Sequence, residues 1–211
     1  MRRALLCGTV CLASVTGSLN AQSHWNVSFG VAGASEIARS RIGTAAERVS
    51  GGVFGGEARV SRGPLLARLR YGQGRLTNDS SARDVAEAEG LVGYQARPWL
   101  TLSVGPHART FLVAGQSDRR WLFWSARVVA RGSLFPGRLE SFVELWQGVG
   151  KLNRPAADAS GGGLEAGLEF RLAPRPLWGR LSYRVEQARV AGSRRETVET
   201  FMLTVGYVPF R

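Results

Sequence analysis

The chain has 211 residues, with 28 basic and 16 acidic side chains and a net charge of +12. Its two cysteines, Cys7 and Cys11, lie near the N-terminus, so removal of a leader would leave no disulfide, thiol chemistry or cysteine metal site. The basic balance invites a nucleic-acid partner, but Lys151 is the only lysine and the arginines are spread along the chain, so none is expected. Arg2 and Arg3 precede an apolar run, Ala4 to Val15, too short for a spanning helix of about 20 residues. Ser18-Leu19-Asn20-Ala21 then places a small residue at a cut. Residues 1–21 read as a secretory signal peptide and 22–211 as one exported domain, with its charge reduced to +10 by the loss of Arg2 and Arg3. Leu6 and Val10 precede the cysteines where lipidation needs a small residue, so no lipid anchor is expected.

From Trp25 onward the hydrophobic period is two. Trp25, Val27, Phe29 and Val31 oppose Asn26, Ser28 and Gly30. Phe54, Ala58 and Val60 oppose Glu57 and Arg59. Leu65, Ala67, Leu69 and Tyr71 oppose Arg68 and Arg70. Ala86, Ala88, Val92 and Tyr94 oppose Glu87, Glu89 and Gln95. Leu100, Leu102, Val104 and Ala108 oppose Thr101, Ser103, His107 and Arg109. Leu122, Trp124, Ala126, Val128 and Ala130 oppose Ser125, Arg127 and Arg131. Leu139, Val143 and Leu145 oppose Glu140 and Glu144. Leu164, Ala166, Leu168, Phe170 and Leu172 oppose Glu165, Glu169 and Arg171. Leu177, Leu181, Tyr183 and Val185 oppose Arg180, Arg184 and Glu186. Phe201, Leu203, Val205 and Tyr207 oppose Thr204 and Gly206. These are ten candidate strands, or eight if one hairpin is merged.

The connections alternate in character. Proline marks tight turns at Gly63-Pro64, Arg97-Pro98, Phe135-Pro136-Gly137 and Pro174-Arg175-Pro176, because proline cannot donate to a ladder. The others read as longer polar loops: 34–51, 74–84, 115–120, 151–161 and 191–196. Tight turns at one end and loops at the other predict an all-β, up-and-down antiparallel transmembrane barrel, with both termini at the tight-turn end. Closure removes the sheet edges, which lipid cannot satisfy. Trp25, Tyr71, Tyr94, Trp178, Tyr183 and Tyr207 lie toward strand ends, where headgroup girdles form; Trp121 and Trp146 do not fit that pattern.

The polar face carries Glu57, Glu87, Glu89, Glu140, Glu144, Glu165, Glu169 and Glu186 against Arg59, Arg68, Arg70, Arg109, Arg127, Arg131, Arg171, Arg180 and Arg184. That near-neutral set suits a charge-paired interior, with opposite charges on neighbouring strands. The excess positive charge is left to the loops, as at Arg39, Arg41, Arg48, Arg75, Arg83, Arg189 and Arg195, with Glu36, Glu47 and Glu196 among the loop acids. A basic rim of this kind would meet lipopolysaccharide phosphates through the arginine fork.

The pattern resembles the small single-chain outer-membrane β-barrels of Gram-negative-type bacteria, the class of opacity-type adhesins and eight- to ten-stranded surface barrels. The most specific piece is the last strand, Phe201-Met202-Leu203-Thr204-Val205-Gly206-Tyr207-Val208-Pro209-Phe210. The resemblance implies export to the outer membrane and recognition of that strand by the barrel-assembly machinery. Arg211 after Phe210, and Phe210 out of parity with Tyr207, depart from the family's terminal signal.

Chemistry is sparse. His24 and His107 are the only histidines, and His107 is a weak catalytic candidate, because Arg109 stands where lipid-cleaving barrels of this class place a serine. The mature aspartates, Asp79, Asp84, Asp118 and Asp158, all fall in loops. The glycine pairs 51–52, 55–56 and the triplet 161–163 lack the Gly-Lys-Ser/Thr of a phosphate loop and read as strand-end bends. No cofactor or metal is expected. The leading expectation is a plugged structural or surface-interaction barrel in the outer membrane. A barrel enzyme acting on lipid or peptide, a soluble calycin-like barrel around an apolar ligand, and a narrow channel stay open as alternatives.

Overall fold

The computed structural model describes residues 25–112, 119–151, 160–172, 176–190 and 194–210. The leader 1–21, His24, Asp118, Asp158 and Arg211 lie outside the described residues. Ten strands follow in chain order: β1 (Trp25–Ile42), β2 (Ala45–Arg62), β3 (Leu65–Thr77), β4 (Ala82–Arg97), β5 (Leu100–Leu112), β6 (Arg119–Phe135), β7 (Leu139–Lys151), β8 (Ser160–Arg171), β9 (Leu177–Val190) and β10 (Arg194–Phe210). Each pairs antiparallel with its sequence neighbours, and β1 closes on β10 to complete the barrel. The ten-strand, up-and-down expectation is met. Gly63 and Gly137 adopt positive φ (56° and 71°) in the tight turns, a conformation most side chains resist.

Several expected loops are strand instead. The segment 34–51 is the upper half of the β1–β2 hairpin, closed by a turn at Gly43-Thr44. Polar residues continue its alternation beyond the apolar stretch: Glu36, Ala38 and Ser40 are buried, while Arg39 and Arg41 are exposed. The 74–84 loop shrinks to a turn between Thr77 and Ala82. There Asn78 Oδ1 accepts hydrogen bonds from the backbone N–H of Ser80 (3.0 Å) and Ser81 (2.7 Å), a local closure that asparagine favours. Strand β10 already runs at Arg194, inside the expected 191–196 loop, while 191–193 lie outside the described residues. Of the 115–120 and 151–161 loops, 115–118 and 152–159 lie outside them too. The glycines at 51–52 and 55–56 sit inside β2 rather than at strand ends. A Cβ on Gly55 would overlap the carbonyl oxygen of Tyr71 on β3, so the two backbones could not approach as they do.

The period-two pattern resolves into two surfaces. Outward-facing Phe29, Val31, Phe54, Leu69, Val92, Leu145, Leu203 and Val205 are exposed, forming an apolar belt around the barrel. Trp25, Tyr94, Trp99 and Tyr207 stand exposed near its tight-turn edge, and Tyr71 and Tyr183 near the other. Trp178 departs from the girdle expectation: it shares the inward parity of Arg180 and is buried.

Candidate functional site

The interior is built in storeys along the barrel axis, set by inward residues at successive positions of each strand. The middle storey is ionic. Arg68 on β3 donates to Glu89 on β4 (2.9 Å) and to Glu144 on β7 (2.8 and 3.0 Å). Arg70, two residues on, reaches Glu165 on β8 (3.1 Å). Arg180 on β9 grips both oxygens of Glu57 on β2 (3.2 and 3.1 Å) and donates to Glu169 (2.7 Å). Arg184 on β9 contacts both oxygens of Glu87 on β4 (2.7 and 2.9 Å). Arg109 on β5 meets Glu36 (3.4 Å), Glu186 (3.2 Å) and Glu87. Arg127 on β6 holds Glu144 (2.7 Å) and Glu89.

Many of these partners are not neighbours in the sheet. Arg68–Glu144, Arg70–Glu165, Arg180–Glu57 and Arg184–Glu87 span the lumen. They answer a conflict within the sheet. On β7 and β8, Glu144 lies opposite Glu165 and Glu140 opposite Glu169. Like charges opposite each other repel, and the arginines arriving from β3 and β9 neutralise these rungs.

The remaining residues of the sequence-read charge set lie toward the tight-turn end. Arg59 contacts Glu57 (3.2 Å) and Glu169 (3.6 Å), and Arg131 contacts Glu169 (3.5 Å) and Glu140 (3.9 Å). Arg171 is exposed at that mouth. A cavity of about 380 Å³ opens here, lined by Ser28, Arg59, Ser61, Arg131, Glu140 and Trp178 among others, with the ionic storey as its floor.

Above the ionic storey sits a second, apolar one. Val49, Leu76, Val85, Phe111, Trp121, Phe123, Trp146 and Val198 form one buried cluster. On β3, β5, β6 and β7 these residues lie beyond the ionic ones toward the far end, and Arg83, Glu47 and Glu196 lie farther out still. The two storeys are joined by guanidinium-over-ring contacts, Arg127 on Trp146 (5.3 Å) and Arg109 on Trp121 (5.4 Å). Sequence reasoning missed this storey, although Trp121 and Trp146 carried its signal by refusing the girdle. It also left Glu36, Arg83 and Glu196 in loops. All three are buried, with Trp121 Nε1 donating to Glu196 (2.7 Å) and Arg83 paired with Glu47.

His107 is fully buried where the storeys meet. It stacks on Phe123 (5.3 Å) and Trp146 (5.2 Å), with Nδ1 near Arg127 (3.3 Å) and Glu89 (3.7 Å). With no exposed surface, its ring and polar contacts give it packing and hydrogen-bonding work. Glu87, His107 and Glu186 bring ligand atoms within 4.8 Å of one another, which is metal-like spacing. Arg109 and Arg184 already contact both carboxylates, so guanidinium charge stands where a cation would.

No protein-family model matches the chain, and no curated protein resembles it in sequence. Among solved structures, it is similar to Neisserial surface protein A (11% identity, covering 85% of this chain and 96% of that one, TM-score 0.44). It is also similar to the translocator domain of the autotransporter NalP from Neisseria meningitidis (11%, 90% and 90%, 0.45). A third is Ail, the attachment invasion locus protein of Yersinia pestis (12%, 86% and 97%, 0.40). The surfaces of the chain itself decide its environment. An apolar belt outside, ion pairs inside and an even number of antiparallel strands with no free edge suit a bilayer and would be costly in water. The chain is a closed, ten-stranded β-barrel with a lipid-facing outer surface. The calycin-like alternative needs the apolar face inside, and the structure puts it outside.

Proposed function

We propose that this barrel is a closed, non-conducting scaffold that acts through its surface, as a structural or surface-interaction protein. The observation that carries the reading is the set of ion pairs spanning the lumen, topped by the aromatic storey of Trp121, Phe123 and Trp146. Ten strands leave little lumen once side chains fill it, and the cavity at the tight-turn mouth is lined by Arg68, which is bonded across the lumen to Glu144. On this reading the final strand, which closes against β1 with Phe201, Leu203, Val205 and Tyr207 facing outward, also serves as the segment taken up by the assembly machinery.

The test is single-channel recording in planar bilayers with the refolded barrel. The expected trace is flat at neutral pH and at 1 M salt. Discrete, reproducible conductance steps from a protein that also shows heat-dependent gel mobility would replace the scaffold reading with the narrow-channel one.

A further inference from the structure

Above the apolar belt, β9, β10, β1, β2 and β3 continue as a contiguous wall, and its outward face is strongly basic. Arg189, Arg195, Arg41, Arg39, Arg48 and Arg75 all point outward and are exposed. Several stand directly opposite one another in the ladder: Arg39 against Arg48, Arg41 against Arg195, and Arg195 against Arg189. Side chains in such positions start about 4.5–5.5 Å apart at Cβ, and like charges there repel. The wall carries few counter-charges. Glu199 pairs with Arg39, and Asp84 approaches Arg75 (3.9 Å). Arg41, Arg48, Arg189 and Arg195 have no ion pair among the described residues. The interior meets its like-charge rungs with arginines from adjacent and facing strands, whereas these outward arginines have only water and salt until an anion from outside the protein joins them.

Three features say which anion. The arginines sit just beyond the edge of the belt at the end away from the termini, at headgroup height of the outer leaflet. Among the described side chains, β5, β7 and β8 present only Thr110, Gln147, Ser160 and Gly162 at the same height. At the opposite mouth Arg62, Arg97, Arg138 and Arg171 are spaced about one per hairpin and form no opposed pairs. Below the arginines, Gly33 and Gly52 leave the belt flat beside the Phe54 ring, which lies 3.9 and 3.8 Å from where their Cβ atoms would stand, giving a shallow surface for an acyl chain.

We propose that this wall binds the phosphates of lipopolysaccharide, a phosphorylated and multiply acylated outer-leaflet lipid, with opposed arginine pairs sharing each phosphate through their guanidinium forks. The proposal rests on the membrane placement and not on the closed lumen.

The experiment uses the whole barrel, purified in detergent, and bisphosphorylated lipid A as probe, with binding read by native mass spectrometry and thermophoresis. The variant Arg41→Gln/Arg48→Gln/Arg195→Gln should bind at least tenfold more weakly, and dephosphorylated lipid A should bind both proteins as weakly as the variant binds the probe. Arg189→Gln/Arg195→Gln, confined to the β9–β10 hairpin, should give a smaller loss and guards against misfolding of the triple variant. The control Arg62→Gln/Arg97→Gln/Arg171→Gln, at the other mouth, should bind as the wild type does. Unchanged binding in both wall variants, or an equal loss in the control, overturns the proposal. So does complete displacement of the lipid by equimolar inorganic phosphate, which would mark a small-anion site. Loss of heat-dependent gel mobility in the wild type would instead overturn the membrane placement itself.

Discussion

Removing Arg68 tests the ionic storey at its most connected point. Its guanidinium serves Glu89 and Glu144 at once, with side-chain exposures of 9%, 0% and 2% for the three groups. In Arg68→Met both carboxylates stay buried and share only Arg127 as a close arginine partner. Breaking a buried pair from one side costs about 3–5 kcal/mol, and the surviving Arg127 contact places this case near the lower end. With an m-value of about 2 kcal/mol/M in urea, a loss of about 3 kcal/mol moves the midpoint down by about 1.5 M. Removing the opposing charge as well, in Arg68→Met/Glu144→Gln, leaves Glu89 with Arg127 and restores local neutrality. The double variant should recover about 2 kcal/mol of that loss, a coupling within the range for residues in direct contact. The assay is urea unfolding in lipid vesicles, followed by tryptophan fluorescence and gel mobility together. A double variant no more stable than Arg68→Met would refute the cross-lumen coupling, and so would a single variant with an unchanged midpoint.

Two further outcomes are expected from the same unfolding assay. Leu203→Arg, in the middle of the belt on β10, should destabilise the barrel by about 2–4 kcal/mol, whereas Gln187→Arg on the wall above the belt should be close to neutral; equal effects would mean that the belt does not face lipid. His107→Ala removes a ring stacked on Phe123 and Trp146 in a fully buried site, and a loss of about 2–4 kcal/mol is expected from the void; a loss under about 0.5 kcal/mol would show that His107 is not a packing element.

The strands were legible because one face of each is apolar over the belt and the other is charged, so Leu164 to Leu172 or Leu65 to Tyr71 admit only the extended reading. The upper strand halves were not. Beyond the belt the outward face turns polar, as at Arg39, Arg41 and Arg48, and alternation between polar and polar looks like loop. The error moved Glu36, Arg83 and Glu196 out of the interior. The pairing was legible only between neighbours. Register alone sets Arg70 opposite Glu89 and Glu165 opposite Arg184, but Arg70 meets Glu165 and Arg184 meets Glu87. Those partners depend on the diameter and tilt of the closed barrel, which period-two patterning does not contain.

The ionic storey also bears on how this sheet selects its register. A one-residue slip in any hairpin would send that strand's charges into lipid and its leucines into the lumen. The outer face alone guards poorly against a two-residue slip, since belt residues such as Leu203 and Val205 are interchangeable against acyl chains. The interior does discriminate. A two-residue shift of β3 would carry Arg68 away from Glu89 and Glu144 together, and Arg70 away from Glu165. Whichever way β3 slips, one of the two arginine levels loses its guanidinium, so either Glu165 loses Arg70 or Glu89 and Glu144 are left to share Arg127, and a buried carboxylate short of counter-charge costs more than a misplaced leucine. The acid–acid rungs of β7 and β8 sharpen this, because they draw arginines both from the adjacent strands, as with Arg127, Arg131 and Arg180, and from across the lumen, as with Arg68 and Arg70, and the cross-lumen share is in place only when the barrel has closed in the correct register.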